Sequence, residues 1–63
     1  MTYARDGYRF YRVSTPSIFR EYELPVNEDQ MTELERRRME FLIKLAELHN
    51  THIECSPYRW VDR

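Results

Sequence analysis

His49, His52 and Cys55 stand three residues apart, with Glu47 and Glu54 close by. Imidazole, thiolate and carboxylate are the groups that bind zinc. The spacing matches no finger or ribbon pattern, and no second cysteine completes a set. If the backbone turns extended after Asn50, the three side chains diverge. The residues therefore read as structural, with His49 at a helix C-terminus, His52 exposed and Cys55 in the core. No metal and no cofactor is expected. A Cys55–histidine nucleophile pair would need an exposed thiol beside a base that an acid orients. Cys55 alternates in phase with Ile53, which favours burial, and 63 residues leave too little chain for a substrate pocket. The single glycine, Gly7, cannot build a phosphate-cradling loop. Neither an enzyme nor a small-molecule substrate is expected.

A second pattern runs from Arg5 to Val13, where arginines alternate with Tyr8, Phe10 and Tyr11. Such strands can anchor a protein partner, because Tyr, Trp and Arg dominate binding hot spots. They can also stack bases and hold phosphates. The stretch departs from the RNP1 strand of RNA-recognition motifs at Asp6 and Arg9, and no family resemblance is drawn. Nine of the ten basic residues are Arg, which makes planar contacts that Lys cannot. Ten basic against eleven acidic residues, a net charge of −1, give no overall field for nucleic acid or an anionic membrane. Charge is uneven along the chain, however. Residues 1–20 hold four arginines against Asp6, and residues 21–35 hold six acids and no base. A basic aromatic edge beside an acidic edge suits docking to a charged partner.

The elements that must position these residues follow from periodicity. Residues 1–6 read as a frayed start, and Asp6-Gly7 as a turn. Residues 8–13 read as a strand with Tyr8, Phe10 and Arg12 on one face and Arg9, Tyr11 and Val13 on the other. Residues 18–26 read as its hairpin partner across Ser14–Ser17, with Leu24 and Val26 placed to meet a helix. Aromatics on both faces require a sheet covered on both sides or one face left for binding. Residues 28–49 read as one long helix, with Asn27 as N-cap, Gln30 at capping-box spacing and Asn50 as the stop. Glu33–Arg37 and Glu40–Lys44 are acid-then-base pairs at i,i+4. Residues 52–55 read as a third strand and 56–63 as a C-terminal tail. The expected fold is α+β: a small antiparallel sheet on one amphipathic helix, order β-β-α-β, in one small domain.

Steps of about 100° put Met31, Leu34, Phe41, Leu42, Leu45 and Leu48 on one face of that helix, the expected core stripe. Met39, Ile43 and Ala46 form a second arc. Arg38 projects into the first stripe, its stem on the core edge and its head in water. A 63-residue chain has a small core, and one cysteine permits no internal disulfide. Oligomerisation is the remaining route to stability, so the second arc is assigned to self-association, as a homodimer. The expected function is a non-enzymatic protein-binding module, a small regulator or inhibitor of a larger protein. Its anchors are Tyr8, Phe10, Tyr11 and Arg12 of the hairpin, extended by Tyr58 and Trp60. The alternatives are single-stranded RNA or DNA binding by the same hairpin, and a small structural subunit of an assembly. No apolar run spans a membrane, and a free cysteine without a signal peptide suggests the cytoplasm, or a host-cell cytoplasm for a viral chain.

Overall fold

The computed structural model describes residues 3–59. Strands β1 (Tyr8–Ser14) and β2 (Phe19–Pro25) form a hairpin, one 3-10 turn (Glu28–Gln30) precedes helix α1 (Glu33–Leu48), and β3 (Glu54–Ser56) closes the order. The sheet is antiparallel, with β1 between β2 and β3. This is the α+β arrangement expected of the sequence. Trp60, expected to extend the binding surface, lies outside the described residues.

Local chemistry sets each boundary. Gly7 sits at φ +82°, a conformation open to glycine, and the Tyr8 amide donates to the Arg5 carbonyl to close the turn at 2.9 Å. At the hairpin tip the Thr15 hydroxyl oxygen accepts from the Ile18 amide at 2.9 Å, while the Thr15 amide donates to the Ile18 carbonyl at 2.8 Å. In the register Tyr11 faces Tyr22 on β2 and Cys55 on β3.

The helix starts later than the pattern suggests. Asn27 does act as a cap, accepting from the Asp29 amide at 3.0 Å, but it caps only the 3-10 turn. Met31 and Thr32 are extended, and α1 begins behind Thr32. The Thr32 hydroxyl oxygen accepts from the Glu35 amide at 3.2 Å, and the Thr32 amide donates to the Glu35 carboxylate at 2.9 Å. That reciprocal box satisfies two orphan amides, whereas Asn27 satisfies one. Thr32→Ala should therefore lower stability by about 1 kcal/mol, and Asn27→Ala by less. Urea titrations of the two variants, followed by circular dichroism, make the comparison.

At the other end Asn50 takes φ +52°. The Thr51 amide donates to the Ala46 carbonyl at 2.8 Å and the Asn50 amide to the Glu47 carbonyl at 3.3 Å. This is a Schellman stop, with asparagine where glycine is usual.

The core is Val13, Leu24, Leu42 and Ala46, with Tyr11, Tyr22, Met31, Met39, Leu45 and Ile53 packed around it. Val13 and Tyr11 come from the helix-facing side of β1, Leu24 and Tyr22 from that of β2. Val26, expected to meet the helix with Leu24, falls beyond β2 and stays exposed. On the far face of the sheet Phe10 is only 5% exposed. Chain from both ends covers it: Tyr3 pairs with Tyr58, the Ala4 amide donates to the Pro57 carbonyl at 2.8 Å, and the Arg59 guanidinium lies 6.0 Å from the Phe10 ring. The sheet is thus sheltered on both sides around Phe10.

Candidate protein-docking surface

Arginine and glutamate alternate across the far face of the sheet, and they engage each other. Arg12 pairs with Glu54 at 2.8 Å, Arg5 with Glu23 at 3.4 Å and Arg59 with Glu21 at 3.9 Å. The Arg5 amide also donates to Glu23 at 2.8 Å, and its guanidinium lies 3.9 Å from the Tyr8 ring centroid. Arg12 of the hairpin and the flanking Arg5 and Arg59 are therefore matched by carboxylates, whereas the Arg9 and Arg20 guanidiniums donate to the Tyr8 and Phe19 carbonyls. Arg12 and Glu54 are register partners on one face, where Cβ atoms of antiparallel neighbours lie about 5 Å apart.

The anticipated anchors do not form one surface. Tyr8, Phe10 and Arg12 lie on the far face, and Tyr11 lies on the helix face. Phe10 is buried and Tyr11 is half-buried against the core. Tyr58 is exposed, its ring edge-on to that of Tyr3 at 4.7 Å. The hairpin's aromatics serve mainly the chain's own packing.

The arc assigned to a second copy needs a similar correction. Ala46 is buried and Met39 packs on the core, so both face the chain's own sheet. Ile43 alone of the three remains exposed. The reason is rotational: α1 seats Leu42 and Ala46 on the sheet, which keeps Leu42 of the expected core stripe buried with Met31 and Leu45 packed against the core, and turns Leu34, Phe41 and Leu48 outward. Leu34, Phe41 and Leu48 are 58%, 43% and 78% exposed, and Leu45 is half-buried beside them. These side chains recur every seven residues and form an apolar ridge along one flank of α1. The Arg38 guanidinium stands 5.4 Å from the Tyr22 ring, which places this flank over β2. A continuous exposed apolar strip marks an interaction site more often than scattered exposed residues do.

The opposite flank of α1 borders an open groove of about 420 Å³. Tyr11, Pro25, Val26, Met31, Met39 and Ile43 line its apolar part, and the Glu28–Arg36 pair at 3.7 Å stands at its edge. Two methionines make that lining adaptable. Glu33–Arg37 forms at 3.7 Å as the spacing predicts, and Glu40–Lys44 does not form.

The candidate ligand set is dispersed. His49 is the helix C-cap residue, His52 is exposed, and Cys55 lies on β3 opposite Tyr11. Among the described residues no three His, Cys, Asp or Glu side chains gather as a metal site. Cys55 is exposed rather than in the core; Ile53 alone of that pair packs inward. Burial pushes the Tyr11 hydroxyl above its ordinary pKa of about 10, and the Cys55 thiol beside it adds to the rise, against Arg9. A raised phenol favours the folded state while protonated. Its contribution is complete below pH about 10 and is lost as pH climbs through the folded value. Stability should fall on that alkaline limb, and Tyr11→Phe should flatten it in urea titrations run across pH.

Among the described residues no helix is long and apolar enough to cross a membrane. Comparison of the chain with protein-family models, with curated proteins and with solved structures finds no match.

Proposed function

We propose that this chain is a non-enzymatic protein-binding module, a small regulator or inhibitor that docks a larger protein. The contact surface in this reading is the outer flank of α1 rather than the hairpin. The observation that carries it is the ridge of Leu34, Phe41 and Leu48, left in water although the chain has its own sheet to bury apolar helix residues. Fully burying one such side chain is worth about 1.5–3 kcal/mol, so three in a row leave a large driving force unused. Aromatic and leucine anchors on a rigid helix also lose little entropy on docking.

The test compares the chain with its Phe41→Ser, Leu48→Ser variant as baits in an extract of the native cell. Circular dichroism first establishes that both are folded. A protein captured stoichiometrically by the parent chain and lost with the variant supports the reading. The same proteins captured equally by both overturn it.

A further inference from the structure

Five positions on the exposed flank of α1 run Leu34, Arg38, Phe41, Leu45, Leu48, in steps of four and three. That alternation is the seam of a two-helix coiled coil. It extends for about 21 Å, enough to seat about two heptads of a partner helix. Charge on the outer border of the seam has one sign, and Glu35 on the inner border is engaged by the Thr32 amide in the capping box. Arg38 lies within the seam, and helical spacing places Arg37 and Lys44 along its outer border. Arg37 is shared with Glu33 at the exposed surface, and Lys44 forms no ion pair among the described residues. Glu40 and Glu47 fall further round the helix, beyond those cations.

We infer that this flank receives an amphipathic α-helix of a partner protein, one that presents apolar residues at heptad spacing flanked by Glu and Asp. The inference rests on the protein-binding reading above and adds the partner's chemistry. Charge complementarity decides between this occupant and a second copy. A second copy would bring the same cations: in an antiparallel pair, Arg37 lies beside Lys44 of the other copy at both ends of the seam. Like charges at such flanking positions select against a pairing, and opposite charges select for it. The acidic helix turns Arg37, Arg38 and Lys44 into cross-helix ion pairs while its leucines cover Leu34, Phe41 and Leu48.

Two labelled three-heptad peptides test this, both with Leu at the a and d positions, one with Glu and one with Lys at e and g. Fluorescence anisotropy at low salt should show the Glu peptide binding at least about tenfold more tightly, and the gap should narrow as salt rises. Phe41→Ser with Leu48→Ser should abolish binding of the Glu peptide. Arg37→Gln with Lys44→Gln, both exposed and remote from the core, should weaken it by about fivefold to tenfold. No binding of the Glu peptide, or equal binding of both peptides, overturns the inference. So does a dimer of the free chain in sedimentation that Leu48→Ser dissociates, since the second copy is then the occupant. Extract partners lost with the Phe41→Ser, Leu48→Ser bait but kept by the Arg37→Gln, Lys44→Gln bait would overturn the acidic-helix inference alone, and leave the protein-binding reading standing.

Discussion

Leu42→Ala should cost about 3 kcal/mol of folding stability, while Phe41→Ala, one residue away, should cost less than about 1. Leu42 is wholly buried between Val13, Leu24 and Ala46, and its truncation leaves a cavity that a small core cannot refill. Phe41 points outward and loses few contacts. A chain of 63 residues holds roughly 3–9 kcal/mol in total, so the first variant gives up a large share of it. Its thermal midpoint should fall by more than about 12 °C, given about 4–8 °C per kcal/mol in domains this small. Urea and thermal unfolding of both variants, followed by circular dichroism, decide the matter. Equal losses would mean that α1 presents the other face to the sheet, and the ridge would no longer be free for a partner.

That contrast also shows where sequence reasoning reached its limit. Strand alternation at Tyr8–Val13, the turn at Asp6-Gly7 and the left-handed stop at Asn50 are local signals, and the backbone follows them. The helix face was not local. Apolar residues occupy more than half the circumference of α1 after Met39, so periodicity alone admits two rotations. Packing against Val13 and Leu24 selects the one that buries Leu42 and Ala46. The true helix start was legible at Thr32-Glu33-Leu34-Glu35, a Thr-x-x-Glu box. Asn27 competed with it and holds a 3-10 turn instead. Because Met31 is extended between the two caps, its side chain can reach the core from outside the helix.

The hairpin shows a different limit. Arginines interleaved with aromatics look like a binding strand when their partners are distant in sequence. Glu54, Glu23 and Glu21 come from β3 and β2, and only the sheet register brings them to Arg12, Arg5 and Arg59. Of these three pairs Arg5–Glu23 joins the basic block of residues 1–20 to the acid-rich stretch that follows, while Glu54 and Arg59 reach the far face from the chain after the helix. The aromatic between them, Phe10, becomes core. The outer flank of the helix, by contrast, keeps Leu34, Phe41 and Leu48 exposed, and it is there that the proposed partner docks.

Phe10→Ala should therefore behave as a core mutation, with a loss of about 3 kcal/mol. The ring is nearly wholly buried although it lies on the sheet face opposite the helix. It has carboxylate-bearing strand neighbours on one side and Arg59 on the other, so its removal opens a void lined by charges as well as a lost apolar contact. Water entering there would weaken the pairs Arg5–Glu23 and Arg59–Glu21, which the surrounding chain now partly screens from solvent. Tyr8→Ala, on the same face but less sheltered, should lose roughly 1 kcal/mol. The two losses are separable from partner binding. Once affinities are corrected for the folded fraction, Phe10→Ala should bind a partner as tightly as the parent chain, because the proposed docking flank of α1 is untouched. A corrected affinity that drops tenfold would return the hairpin to the interface and show that the far face opens on binding.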